Sequence, residues 1–124
     1  MPNVRLFPAL LIALALSAAP APAAESVSAE AFKRDLVGVP LCGKPTSGPL
    51  AGNLLCTVHL PDGSAILAGS GVFVRGLWEA EGDKICRRNA NDTPERRRCV
   101  GYEKLDPHRY RNSDGVEFCV GPCM

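Results

Sequence analysis

Hydrophobic and polar residues follow three different patterns along this chain. Residues 6–19 are an almost uninterrupted apolar run, residues 29–37 carry apolar side chains at helical spacing, and residues 39–120 consist of short apolar stretches between turn-forming residues. These patterns are typical of an apolar leader, a short amphipathic helix and a series of β-strands. The chain is therefore predicted to be mainly β.

The apolar run belongs to a predicted secretory signal peptide. Arg5 precedes it and the small residues at positions 21–23 follow it, which is the three-part organisation of such a peptide, with cleavage after Ala23. The alternative is an uncleaved membrane anchor, but the run is shorter than the about 20 residues that a membrane-spanning helix needs. We predict a cleaved signal peptide over residues 1–23, one domain over residues 24–124, no membrane span after cleavage, and a periplasmic or secreted location.

The helix predicted after the leader is short and has one narrow apolar stripe, formed by Phe32, Leu36 and Val37. Ser28 is placed to cap its beginning, and Gly38 is placed to end it. A narrow stripe indicates that the helix packs on another element rather than standing alone.

Alternation and turns predict the strands. In the segment 54–60, two sets alternate, namely Leu54, Cys56, Val58, Leu60 and Leu55, Thr57, His59. Further strands are predicted over residues 39–42, 64–74, 76–80, 84–87, 98–103, 108–111 and 116–120, with a bulge or bend at Gly69 and Gly71 and a loop over residues 43–53. Short strands about ten residues apart predict an antiparallel meander that forms a small barrel or a strongly bent sheet, with a short N-terminal helix and disulfides.

The cysteines suggest how so small a domain is stabilised. After the leader only six aromatic residues remain, so the core must be modest. All six cysteines also follow the leader, namely Cys42, Cys56, Cys86, Cys99, Cys119 and Cys123. An even number in a short exported chain predicts a disulfide framework. Each bond contributes about 2–4 kcal/mol, against a net stability of about 5–15 kcal/mol for a domain.

One of these disulfides is predicted from strand register. If Cys86 faces Cys99 in an antiparallel pair, then Ile85 faces Val100, and Asp83 faces Tyr102. Directly opposed Cα atoms are about 4.5–5.5 Å apart, which is within the range of a disulfide. We therefore predict Cys86–Cys99, and we expect the other four cysteines to pair among themselves in an order that the sequence leaves open.

Charge is balanced overall but clustered locally. Removal of Arg5 with the leader leaves 13 basic and 13 acidic residues, so no nucleic-acid partner is expected. Five arginines flank the loop between the two strands of the Cys86–Cys99 hairpin, namely Arg87, Arg88, Arg96, Arg97 and Arg98. A solvated loop accounts for them most simply, and arginines also discourage pairing at the edge of a sheet. The functional hypothesis is that they bind an anionic partner, such as an acidic protein or a lipid phosphate.

The remaining polar residues suggest two further functions. His59 and His108 could serve as acid and base in a small secreted hydrolase or nuclease, although no catalytic signature accompanies them. Cys119 and Cys123 could bind a metal with a histidine, but an oxidising compartment favours disulfides, and their Cys-x-x-x-Cys spacing is one residue longer than a thioredoxin motif. We therefore expect a binding or structural protein without catalytic residues, metal or cofactor.

The chain also resembles a group of small exported bacterial domains of unknown function. The resemblance covers residues 29–120 and depends on Gly76-Leu77-Trp78, on Gly82-Asp83-Lys84-Ile85-Cys86, and on Cys99 about a dozen residues later. It implies a small β-sheet or barrel domain in the periplasm of a Gram-negative bacterium and supplies no catalytic residues. The other four cysteines depart from the pattern of this group.

Overall fold

The computed structural model describes residues 23–121. The predicted signal peptide, except Ala23, and Cys123 therefore lie outside the described residues. Ten strands are present, namely β1 (Glu25–Ser26), β2 (Leu41–Gly43), β3 (Leu55–His59), β4 (Ser64–Gly69), β5 (Val72–Glu81), β6 (Lys84–Asn89), β7 (Arg98–Val100), β8 (Tyr102–Asp106), β9 (Arg109–Asn112) and β10 (Glu117–Val120). A helix α1 (Ala29–Asp35) and a 3-10 turn (Pro94–Arg96) complete the described elements.

All ten strands belong to one antiparallel sheet with the order β1-β8-β9-β10-β2-β3-β4-β5-β6-β7. The sheet is open and strongly curled into a half-barrel, which confirms the predicted mainly β fold and its bent sheet. In the chain, β7 is separated from β8 by Gly101 alone, so one residue links the last strand of the sheet to the second. Within residues 23–121, no helix combines the length and the hydrophobicity that crossing a membrane would require.

The helix lies where the sequence predicts it, but it is not the N-terminal element, because β1 precedes it and pairs with β8. The Ser28 hydroxyl accepts a hydrogen bond from the Ala31 backbone N–H at 3.1 Å, which is the predicted N-cap. The helix ends at Asp35, two residues earlier than expected, and Gly38 then adopts a φ of +80°. Phe32 and Leu36 are buried by the sheet.

Two predicted strand boundaries were wrong. The stretch expected as one strand over residues 64–74 is a hairpin, because Gly69, Ser70 and Gly71 all have positive φ angles. Consecutive positive φ angles produce a tight hairpin turn that matches the twist of the two strands, whereas the sequence prediction treated these glycines as a bulge. The strand expected over residues 76–80 is consequently the second half of the ten-residue strand β5.

The stretch expected as one strand over residues 98–103 divides at Gly101 into β7 and β8. The predicted opposition of Asp83 and Tyr102 is therefore absent, since Tyr102 pairs with Asn112 of β9 instead.

Two disulfides join described cysteines, and one of them is the predicted pair. Cys86 faces Cys99 in the register of β6 and β7 with Cα atoms 3.9 Å apart, and Ile85 faces Val100 as expected. Cys42 is bonded to Cys56 across β2 and β3, with Cα atoms 4.0 Å apart. Cys119 is also disulfide-bonded.

The interior is divided along the length of the strands. At one end, the rings and aliphatic side chains of the core pack beneath α1, namely Phe32, Leu36, Leu41, Ile85, Val100, Tyr102, Tyr110 and Phe118. Two residues further along several of these strands, the inward positions are occupied by Gly43, Thr57, Gly76 and Arg87, which line an open space instead. The helix thus fills one end of the half-barrel and leaves the other end hollow.

Candidate functional site

The hollow end of the half-barrel forms a cavity of about 450 Å³. The concave face of the sheet makes its floor, and the loop over residues 44–53 makes one wall through Pro45, Thr46, Ser47, Pro49 and Leu50. Cavities that bind small molecules in proteins have volumes of about 300–1,000 Å³. The space is therefore large enough for a ligand.

Most of the cavity lining is aliphatic. Apolar side chains reach it from the loop, from β3, β4, β5, β7 and β10, and from the turn before β10, namely Leu50, Leu55, Leu67, Val74, Val100, Val116 and Phe118. Phe118 is the one aromatic residue among the lining residues. The lining consequently suits an aliphatic group better than a flat ring, which would need stacking partners.

Two polar side chains of the lining are held in place by hydrogen bonds within the protein. The Thr57 hydroxyl accepts a hydrogen bond from the Arg87 guanidinium at 3.4 Å. Asn112 Oδ1 accepts from the backbone N–H groups of Asp114 and Val116, each at 3.0 Å. These bonds use acceptor oxygens of the two side chains and fix their positions in the cavity wall.

Arginines concentrate at this cavity. Arg87 of β6 and Arg98 of β7 face each other directly in the register that the Cys86–Cys99 bond fixes, and both line the cavity together with Arg88. Arg98 forms an ion pair with Asp114 at 3.0 Å. Within residues 23–121, no carboxylate lies within ion-pair distance of Arg87.

The structure thus divides the predicted arginine cluster into two parts. Arg87, Arg88 and Arg98 line the cavity, and Arg88 also donates to the Asp92 carbonyl oxygen at 2.6 Å. Arg96 and Arg97 do not line it, and Arg97 is paired with Glu81 at 3.1 Å. Three of the five predicted residues therefore share one site with a single carboxylate, that of Asp114.

The two histidines do not share a surface. His59 is fully buried, and its ring lies 5.1 Å from that of Phe32 and 5.6 Å from that of Trp78, in edge-to-face geometry with both. Burial, and to a lesser degree the charge of Arg87, lowers the pKa of His59 to about 3. His108 is exposed in the turn between β8 and β9. An imidazole without solvent access cannot take a proton from a bound substrate, so His59 is a core residue.

No cysteine among the described residues carries a thiolate that could bind a metal. Glu81, Cys86 and Cys99 place one potential ligand atom each within 4.8 Å of one another. Cys86 and Cys99 are bonded to each other, however, and Cys119 is also in a disulfide. A cysteine binds a metal through its thiolate, which a disulfide does not provide. Cys123, the second residue of the metal hypothesis, lies outside the described residues.

Sequence reasoning missed the loop wall, Thr57, Asn112 and Asp114. It could have found the opposition of Arg87 and Arg98, because the register that places Cys86 opposite Cys99 also places Arg87 opposite Arg98. The remaining residues carry no local signal, since they come together only when the sheet curls.

Comparison of the chain with protein-family models, with curated protein sequences and with solved structures found no significant match.

Proposed function

We propose that the protein is an exported binding protein whose ligand carries an anionic group and occupies the concave cavity. The observation that carries this proposal is the direct opposition of Arg87 and Arg98 at the cavity wall. Like charges directly opposite each other in a sheet are destabilising, and Asp114 neutralises only one of the two guanidiniums. An anion between them would remove the repulsion and form charge-assisted hydrogen bonds.

Export is supported by the chemistry of the cysteines. Disulfides persist in the periplasm and outside the cell and are rare in reducing compartments. Cys42–Cys56 and Cys86–Cys99 are therefore compatible with a periplasmic or secreted location, and the predicted signal peptide points to the same place.

A small ligand explains the arginines better than an acidic protein docked on the hairpin. Of the two arginines that do not line the cavity, Arg97 is already neutralised by Glu81, which leaves Arg96 to meet such a partner. Arg87 and Arg88, in contrast, are half-buried beside an apolar surface, which strengthens an ionic interaction relative to open water, whereas the Arg98 side chain is 75% exposed.

The test is a fluorescence titration with cis-parinaric acid, a fluorescent polyene carboxylate without a ring, comparing the wild-type protein with Arg87→Gln. A charge-assisted hydrogen bond contributes about 1.5–3 kcal/mol, so we expect the variant to bind the probe about tenfold or more weakly. The matched control is Arg96→Gln, because Arg96 lies on the same hairpin, is exposed and does not line the cavity. Its affinity for the probe should equal that of the wild type.

Equal losses in both variants would mean that the probe responds to general charge, and an unchanged affinity in Arg87→Gln would mean that the cavity does not hold the anion. Either result contradicts the proposed function. Thermal unfolding of each variant verifies that the fold is intact before the affinities are compared.

A further inference from the structure

The cavity lining combines charged and aliphatic groups, and this combination defines the ligand more narrowly. Arg87, Arg88 and Arg98 lie on β6 and β7. Leu55, Leu67 and Val74 lie on β3, β4 and β5 and line the cavity around Thr57, whose hydroxyl accepts a hydrogen bond from the Arg87 guanidinium. A ligand that fills the space would therefore meet both a guanidinium and an aliphatic surface.

From this arrangement we infer that the ligand is an acyl-chain amphiphile with a carboxylate or phosphate head, its head at Arg87 and Arg98 and its chain along the aliphatic lining. The inference rests on the proposed function and adds the class of ligand to it. A hydrophilic anion would leave the aliphatic wall in contact with water, so most of the apolar surface would contribute nothing to binding. A planar aromatic anion would find only Phe118 as a ring partner.

The loop over residues 44–53 would cover part of the chain of such a ligand, because its residues form one wall of the cavity. Its backbone hydrogen bonds join loop residues to one another, from Ala51 to Gly48, from Gly52 to Pro45 and from Asn53 to Leu50. These bonds hold the wall together independently of the strand pairing.

Isothermal titration with saturated carboxylates of four, eight and twelve carbons tests this inference, at concentrations below micelle formation. Each methylene that enters the cavity should strengthen binding up to about fourfold, because burying one contributes about 0.8 kcal/mol. Alkyl phosphates of the same lengths, acetate and inorganic phosphate complete the series. Tighter binding by either head group supports the inference, provided that affinity rises with chain length.

A variant locates the chain within the protein. Val74→Phe places a larger side chain in the cavity and should abolish most of the gain between eight and twelve carbons without changing the affinity for acetate. Ile66→Phe is the control, because Ile66 is half-buried on the opposite face of the sheet, paired with exposed Arg75, and does not line the cavity. Since the chain-length series uses the wild-type protein, it is decisive even where Val74→Phe fails to fold.

Three results would overturn the inference, and they differ in what else they affect. Binding of short and long anions with equal affinity would remove the acyl chain and leave the proposed anion site standing. A chain-length gain that persists in a folded Val74→Phe variant would place the chain outside the cavity. Failure of every anion in the series to bind would remove the proposed function as well.

Discussion

At the scale of single residues, His59 is the most unusual group in the interior. Neither ring nitrogen has a hydrogen-bond partner among the described residues, although the side chain is fully buried. Phe32 and Trp78 surround the ring with aromatic carbon. The neutral imidazole therefore behaves as an apolar side chain, and its proton uptake is opposed by burial.

This burial predicts a pH dependence of folding. The pKa of His59 is about 3 in the folded protein and about 6.5 in the unfolded chain, so the unfolded chain binds the proton first as the pH falls. The contribution of His59 to the free energy of unfolding keeps its full value above about pH 6.5 and falls as the pH approaches 3. At pH 4.5 the loss from this residue alone is about 2–3 kcal/mol. Urea unfolding at pH 7.5 and 4.5 measures the decline.

His59→Leu should retain or raise the stability at pH 7.5, because it replaces two unsatisfied nitrogens by carbon in a similar volume. It should also make the decline between the two pH values smaller by the amount given above. His108→Leu, at an exposed position, is the control and should keep the full decline. An equally steep decline in His59→Leu would show that His59 does not titrate in this way.

At the scale of elements, the helix α1 closes one end of the half-barrel through Phe32. Its ring lies 5.2 Å from that of Tyr102 and 5.8 Å from that of Trp78, besides its contact with His59. The helix has only seven residues, which is too short to be stable by itself. The helix is therefore held in place by the packing of Phe32, and the aromatic cluster needs the helix to position Phe32.

Phe32→Ala should consequently lower the free energy of unfolding by about 3–4 kcal/mol through the cavity that it leaves. Trp78 is the only tryptophan of the chain, so its fluorescence reports both the local change and the unfolding transition. Lys33→Ala alters the exposed neighbour on the same helix and should cost less than about 0.5 kcal/mol. Similar losses in both variants would mean that α1 does not contribute to the core through Phe32.

The two disulfides whose cysteines are both described stabilise different elements. Cys42–Cys56 joins β2 to β3 at the base of the loop over residues 44–53, whereas Cys86–Cys99 joins the two strands that carry the opposed arginines. Their sequence separations are 14 and 13, so removing either bond frees almost the same chain entropy in the unfolded state. The two disulfides therefore differ mainly in their position, and comparing the removal of each one tests the role of the loop.

We expect the double variants Cys42→Ala/Cys56→Ala and Cys86→Ala/Cys99→Ala to lose about 3 kcal/mol of stability each, as measured by urea unfolding. Probe affinity should separate them. Loss of Cys42–Cys56 frees the loop wall and should weaken cis-parinaric acid binding several-fold. The strands that hold Arg87 and Arg98 still pair through their backbones in the other variant, so its affinity should change less. The reverse order of affinities would argue against the loop as a wall of the site.

At the scale of the whole molecule, charge and shape act together. The predicted exported chain is neutral overall, so it does not attract anions from a distance. Three guanidiniums and one carboxylate at the cavity nevertheless create a local positive potential beside an aliphatic surface. Selectivity should therefore arise within the cavity, where both ends of a ligand are contacted at once.

Much of the fold follows from local signals in the sequence. The cap at Ser28, the turn at Gly82 and the Cys86–Cys99 register are each determined by residues close together in the chain or directly opposite in one hairpin. Such signals depend on backbone geometry, and backbone geometry depends mainly on local residue type. They were sufficient to predict a mainly β domain, the position of its helix and one disulfide.

Predicting which face of a strand is buried required more than local information. In β3 the structure buries Leu55, Thr57 and His59 and leaves Cys56 and Val58 half-buried, although the set with Thr57 and His59 is the more polar. Leu54, from the more apolar set, is 53% exposed. The choice was made by the neighbours that β3 meets when the sheet curls, because aromatic rings cover His59 and Arg87 meets Thr57.

The sequence by itself determined that short strands, tight turns and paired cysteines would form a bent sheet, because these properties follow from alternation and turn chemistry within a few residues. Only the tertiary structure decided where the hollow lies and which side chains line it. Curling brings Arg87, Val74, Phe118 and a distant loop together around one space. Their spacing along the chain does not indicate that they are neighbours. The candidate site is a property of curvature, which depends on all ten strands at once.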